Sequence, residues 1–320
     1  NSSTATSIAA QQDQKSTHLQ KHSRHGIPRR NVENSDRENT KFNPPHYLFI
    51  FAFTEPPQMI SSARLKVLRS QQHKKYRDQH GLFLVEGEKM VRELIGQMHP
   101  QRFKAKEIYA TPEWIDRNQL KAPATDTKVV EATRAEIQKI SSLVNPQPVL
   151  ALVGKPDSTL DFKELLHTPV LAFESIRDPG NLGTIIRTAD WFGLKHIICS
   201  PDSTDVFNPK VVQSTMGAFV RVCVHYHDLD VLLASPALQE KAVYGTFLEG
   251  ENIYAASLAP APLILFGNES HGLSNKYDPY IQQRLSIPSF SRLGKGSESL
   301  NVASSVAVVC SEIKRRAYSK

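Results

Sequence analysis

From Val170 onward the chain alternates short apolar runs with stretches of helical spacing. The runs are Val170–Phe173, His196–Cys199, Val220–Val224, Val243–Phe247, Leu263–Phe266 and Leu285–Ile287. Helical spacing falls at Gly183–Phe192, Pro209–Met216, Leu229–Gln239 and Val302–Arg316. Continuous apolar runs suit strands covered on both faces, and their alternation with helices predicts an α/β fold with a mainly parallel sheet. No repeat at solenoid spacing interrupts this pattern.

Upstream, the pattern predicts a smaller mixed domain. Ser61–Tyr76 sets Leu65 and Leu68 among Arg64, Lys66, Arg69, Lys74 and Lys75, the layout of a basic amphipathic helix. Phe83–Glu86 reads as a strand closed by Gly87, and Glu88–Ile95 as a helix with Met90, Val91, Leu94 and Ile95 on one side. Further strands are expected at Glu107–Ala110, Lys128–Val130 and Val149–Val153, with a helix at Thr133–Ser142. A linker near Lys155–Asp161 separates the two regions, so the expected domains are residues 59–156 and 157–320. Residues 1–58 are rich in Ser, Thr, Gln, Asn, His and Arg and lack periodicity before Tyr47, which predicts a disordered extension. The first methionine is Met59, directly before the basic helix. The upstream segment is therefore either an addition to a domain that starts there or a basic RNA-binding tail.

A length of 320 residues fits two domains plus a tail. The longest early apolar run, Tyr47–Phe53, is far short of the ~18 residues of a membrane span, and its flank lacks a secretion-signal layout. A net charge of +7 favours polyanionic partners. Cys199, Cys223 and Cys310 are far apart and show no metal-ligand spacing; free thiols in apolar segments fit a reducing cytoplasm.

Three segments of the larger region combine an apolar strand with a polar loop, the way open α/β sheets build ligand sites. In the first, Asp178-Pro-Gly-Asn181 forms a turn in which Asn181 is expected to cap the following helix. Arg187 lies off that helix's apolar face, one turn inside the expected start. A cation gains nothing from the helix dipole there. It is either a solvated arginine or one held for a substrate or carboxylate. In the second, Leu263–Phe266 runs into Gly267-Asn-Glu-Ser-His-Gly272, where Glu269 is a hydrogen-bond acceptor or a surface acid and His271 a loop residue. In the third, Ser299 and Asn301 precede a helix with a Val302, Val306, Val309, Cys310 and Ile313 stripe, and Ser299 is the expected cap. The loop from Ser289 to Glu298, with Gly294 and Gly296, is expected to be mobile and to fold over a ligand. No dinucleotide, Walker, nucleophile-elbow or zinc-protease motif occurs.

Taken together, the segments resemble the three signature motifs of the SpoU (TrmH-type) RNA methyltransferases of the SPOUT class. Asn181, Gly183 and Arg187 with Thr188-Ala189 match the first. Gly267-x-Glu269-x-x-Gly272 matches the second. Ile287-Pro288 and Ser299-Leu300-Asn301-Val302 match the third. The resemblance covers residues 168–316. It implies a C-terminal trefoil knot, S-adenosylmethionine bound within it, a homodimer with sites near its interface, and 2′-O-ribose methylation of RNA. It also implies that Arg187, Asn181, Glu269, Ser299 and Asn301 serve catalysis, and that Phe266, Gly267, Gly272, Ile287, Pro288 and Leu300 surround the cofactor. Arginine is a poor base, so Arg187 either stabilises developing alkoxide charge or, as a stronger claim, takes the proton. Lys74-Lys-Tyr-Arg-Asp78 with Leu82–Lys89 resembles the L30e-like substrate-binding domain of some members, which favours rRNA over tRNA. There Arg64, Lys66, Arg69, Lys74, Lys75 and Arg77 are the expected RNA contacts. One departure is the Pro288–Ser299 loop, long and rich in Gly and Lys where many members have a short Pro-Met segment. The other expectation from the same residues is a non-catalytic RNA-binding or ribosome-assembly protein on this fold.

Overall fold

A computed structural model describes residues 59–96, 102–119, 127–157, 159–291 and 298–318. The expected disordered extension and most of the expected mobile loop, residues 292–297, lie outside the described residues.

The basic segment forms two helices instead of one, α1 (Ser62–Ser70) and α2 (Lys74–His80). The break follows from a tertiary contact. The Arg77 guanidinium donates to the carbonyls of Gln71 and Gln72, at 3.0 and 2.9 Å, so these acceptors at the end of α1 are satisfied without further helix. The smaller sheet follows, with β1 (Leu82–Glu86), β2 (Ala105–Ala110), β3 (Lys128–Glu131) and β4 (Val149–Gly154) in the order β1-β4-β2-β3. Strand β4 is antiparallel to both neighbours, while β2 and β3 run parallel. Helices α3 (Glu88–Ile95), α4 (Pro112–Arg117) and α5 (Arg134–Ile140) connect them. Helix α5 opens with a reciprocal Thr133–Glu136 capping box, and the Glu136 carboxylate also accepts from the Ile60 amide at 2.7 Å.

The second region begins with α6 (Phe162–His167), a short helix hidden from periodicity by its length. The larger sheet is wholly parallel among its described pairings, in the order β10-β8-β9-β5-β6-β7. Its strands are β5 (Val170–Phe173), β6 (His196–Cys199), β7 (Cys223–Tyr226), β8 (Val243–Asn252), β9 (Leu263–Phe266) and β10 (Gln283–Ser286). Every residue of β5, β6 and β9 is buried, as a two-sided parallel sheet requires. The helices are α7 (Pro179–Trp191), α8 (Pro209–Ser214), α9 (Leu229–Leu233) and α10 (Val302–Tyr318). The strand expected at Val220–Val224 is displaced to β7. Gly217 takes φ +98°, and a single 3-10 turn, Ala218–Val220, buries Phe219 and Val220. The helix expected over Leu229–Gln239 stops at Leu233, because Pro236 begins a separate 3-10 turn.

An apolar cluster and a buried ion pair help bind the sheets to each other. Phe83, Phe103 and Trp114 from the smaller sheet's side share one apolar cluster with Val212, Phe219 and Val220 from the larger. Beside it, Arg77 places Nη2 2.7 Å from Asp205 Oδ2, with both side chains at least nine-tenths buried. A buried ion pair is costly to break by halves, because the remaining charge keeps its desolvation penalty without its partner. Arg77→Ala is therefore expected to lower unfolding free energy by about 3–5 kcal/mol, read by denaturant titration. A loss under about 1 kcal/mol would put the pair at surface value.

Candidate active site

The first two motif loops follow the central strands β5 and β9, and the third follows β10 at the sheet's side. Strand β5 ends at Phe173, and the chain turns through Ser175, held at φ +54°. The Ser175 amide donates to Ser200 Oγ at 2.8 Å, and its hydroxyl bonds Asp202. Burial alone would raise the Asp202 carboxyl, yet hydrogen bonds from Ser175 and Ser200, with Arg177 beside it, leave it below its ordinary value. Helix α7 starts at Pro179, four residues earlier than the apolar pattern indicates. The cap is Asp178, whose Oδ1 accepts from the Asn181 amide at 2.7 Å. Asn181 thus lies inside the first turn, with its side chain free for other partners, and is not the cap. The same shift puts Arg187 in the second half of α7, away from the positive end of the dipole. Gly183 lets α7 approach α8: a Cβ there would stand 2.3 Å from Ser214 Cβ and 2.9 Å from the Val211 carbonyl oxygen.

After β9, the loop closes on itself through two backbone hydrogen bonds, Asn268 to Gly272 at 3.0 Å and the reverse at 2.9 Å. A Cβ on Gly267 would sit 2.0 Å from Gly272 C and Leu273 N, so only glycine permits this closure. Gly272 takes φ +71°. Asn268 Nδ2 donates to the Ser175 carbonyl at 2.8 Å, fastening the second loop to the first. This lateral tie is not indicated by the sequence, where Asn268 reads as one more polar turn residue.

The cap of α10 is Asn301, not Ser299. Asn301 Oδ1 accepts from the amides of Ala303 at 2.9 Å and Ser304 at 3.4 Å. Ser299 is exposed and makes no hydrogen bond among the described residues. With Oδ1 committed to the helix, Asn301 Nδ2 points outward and donates to Asn181 Oδ1 at 3.1 Å. Asn181 Nδ2 in turn donates to Glu269 Oε1 at 3.0 Å. One directed chain thus joins a residue from each motif, and backbone donors at its origin decide the orientation of both amides. It ends on a carboxylate with a second oxygen to spare.

Arg187 is exposed and makes no side-chain hydrogen bond or ion pair among the described residues, so the carboxylate partner is not found. It lies six residues, about 9 Å along the axis, from Asn181. Around the loops, Phe266 is buried, Ile287 and Pro288 are half-buried, and Leu300 is 51% exposed. A cavity of about 1030 Å³, lined by Arg92, Arg102, Lys195 and Cys223 among others, opens at the far end of the sheet and holds none of the expected catalytic or cofactor residues. Of the expected RNA contacts, Lys66, Arg69, Lys74 and Lys75 are exposed. Arg64 is half-buried, donating to Tyr109 Oη at 3.0 Å and paired with Glu107. Arg77 is buried in its pair with Asp205, which removes it from any RNA-facing surface.

Comparison with known proteins places this arrangement. The profile of the SpoU rRNA Methylase family matches residues 168–311, and that of the MRM3-like substrate binding domain matches residues 62–151. A solved structure from Porphyromonas gingivalis, described as an RNA methyltransferase of the TrmH family, is 36% identical with a TM-score of 0.71; the match covers 81% of this chain and 99% of that one. The chain belongs to the SpoU family. Another solved SpoU-like fold, the AdoMet-bound rRNA methyltransferase of Sinorhizobium meliloti, is 27% identical over 81% of this chain and 97% of its own, with a TM-score of 0.68. The 23S rRNA (guanosine(2553)-2'-O)-methyltransferase RlmP of Bacillus subtilis is 26% identical over 74% of this chain and 90% of its own.

The capping assignment in this SpoU domain is testable. Asn301→Ala is expected to cost about 1 kcal/mol and Ser299→Ala less than about 0.5 kcal/mol, both read by thermal unfolding. A larger loss from Ser299→Ala than from Asn301→Ala would return the cap to Ser299.

Proposed function

We propose that the chain is an S-adenosylmethionine-dependent 2′-O-ribose methyltransferase acting on rRNA in preference to tRNA. The observation that carries this reading is the hydrogen-bonded chain from Asn301 through Asn181 to Glu269, which unites one residue from each of the three separated motifs. In this reading the C-terminal part carries the trefoil knot and residues 59–156 form the L30e-like substrate domain. The names of the B. subtilis and S. meliloti relatives support rRNA as substrate. Exposed Lys66, Arg69, Lys74 and Lys75 supply charge for its backbone. No described helix is long and apolar enough to cross a membrane, and the cysteines are unpaired, which suits a reducing compartment such as the cytoplasm.

The residues present fit the cofactor. Gly267 and Gly272 keep the loop after β9 free of bulk, and half-exposed Leu300 offers apolar surface on the same side. Phe266, Gly267, Gly272, Ile287, Pro288 and Leu300 would hold it. When bound, S-adenosylmethionine supplies a methyl group already activated by its sulfonium. The protein's task is then position and field. Glu269, oriented by Asn181, is placed to accept from a ribose hydroxyl or to face the positive cofactor. Arg187 stabilises alkoxide charge as it develops. In this reading the protein acts as a homodimer with Arg187 and the Asn301–Asn181–Glu269 chain near its interface.

The test is transfer of labelled methyl from S-adenosylmethionine to rRNA taken from a strain lacking the protein. Arg187→Ala is expected to lower the rate at least ~100-fold while changing cofactor affinity less than about threefold. Wild-type rates in this variant would remove Arg187 from the mechanism. Tight cofactor-free RNA binding with no transfer would favour the ribosome-assembly reading.

A further inference from the structure

At the opposite, N-terminal edge of the larger sheet, three metal-ligating side chains meet. His196 opens β6 and Cys223 opens β7, and the two are register partners. His225 follows two residues after Cys223, so all three project from one face of the sheet. One ligand atom from each lies within 4.8 Å of the others. Both histidines are buried and Cys223 is half-buried. The spacing is invisible to motif reading, because the ligands come from two strands 27 residues apart, from His196 to Cys223.

The geometry suits a cation. His196 Nδ1 and His225 Nε2 stand 3.2 Å apart. Two nitrogens of a tetrahedral site with Zn–N bonds of 2.0–2.1 Å are separated by about 3.3 Å. His196 Nε2 faces Glu164 Oε1 at 3.1 Å without completing a hydrogen bond, and His225 Nδ1 is buried with no partner among the described residues. A carboxylate behind a histidine is the usual outer support of a metal-bound imidazole. Burial pushes the Cys223 thiol up, with Glu164 adding to the rise against the pull of nearby Arg102 and Lys195, so a bound metal must itself displace the proton. Arg102 is held by its bond to the Val222 carbonyl at 2.9 Å, and the cavity at this end gives Cys223 a route to solvent. A cysteine sulfur with two imidazoles is a soft donor set that selects zinc over hard divalent ions.

We infer that His196, Cys223 and His225 form a zinc site, with Glu164 supporting His196 and water from the cavity side completing the coordination. The ion ties β6 to β7 and, through Glu164, to α6. Binding releases the Cys223 thiol proton to solvent as the S–Zn bond forms. The site is remote from the motif loops, and its test does not read methyl transfer.

The full chain, produced in zinc-supplemented medium and purified without chelator, is expected to carry about one zinc per chain. Cobalt(II) added to the metal-stripped protein is expected to give a thiolate-to-cobalt charge-transfer band. Cys223→Ser should abolish that band, and His225→Gln should lower zinc content at least ~10-fold. Should Cys223→Ser fail to fold, the wild-type cobalt spectrum and the His225→Gln content still decide. Wild-type protein with under about a tenth of an equivalent of zinc and no cobalt band would reduce the cluster to a histidine–histidine hydrogen bond beside a bystander thiol. A band that survives Cys223→Ser would equally overturn the assignment.

Discussion

The site depends on one directed hydrogen-bond chain. Backbone amides at the start of α10 claim Asn301 Oδ1, which turns Nδ2 toward Asn181. Asn181 is then left with one available face, and its Nδ2 meets Glu269. Neither amide is free to flip without opposing like groups. The orientation of Glu269 is therefore inherited from a helix terminus elsewhere in the sequence. Around this chain the glycines act by exclusion: Gly183 lets α7 close on α8, and Gly267 lets the second loop fold back on itself.

The smaller sheet is not an appendage on a free tether. Its Phe83 ring lies 4.6 Å from that of Phe207 and 6.1 Å from that of Phe219, both contributed by the other region. Arg221 reaches both ways, bidentate to Asp190 at 2.8 and 2.9 Å and to Glu93 at 2.5 Å. At the other end of α10, Glu312 receives Arg315 and Arg316. The Arg315 hydrogen bond is the main cause that pulls the Glu312 carboxyl down to about 2. Arg316 Nη2 also donates to the Ile253 carbonyl at 2.6 Å, so the helix that begins at the motif site is anchored where it ends.

Much of the larger sheet is legible in the sequence. Strands β5, β6 and β9 are legible because two-sided parallel strands are continuously apolar; β8 and β10 carry polar, exposed residues, and β10 spans Gln283–Ser286 instead of the expected Leu285–Ile287. Element ends were harder. The start of α7 was misplaced because Pro179-Gly180 resembles a turn, whereas proline is at home in a helix's first turn when Asp178 supplies the cap. Ser299 and Asn301 are both plausible caps by residue type, and only the direction of the chain separates them. Arg77 looks identical to Lys74 and Lys75 in a basic helix, and its burial depends on Asp205, 128 residues away. The cluster of His196, Cys223 and His225 was illegible for a similar reason: strand register, which sequence spacing does not express, brings it together.

A double-mutant cycle on methyl transfer between Asn181→Asp and Glu269→Gln tests the central claim most directly. The first change sets two carboxylates against each other, and the second restores a donor to the pair. The account predicts that the second substitution offsets part of the loss from the first, with a coupling of at least about 1 kcal/mol in the single-turnover rate. Losses that add within about 0.3–0.5 kcal/mol would mean that the two side chains do not act through one another, and would contradict it.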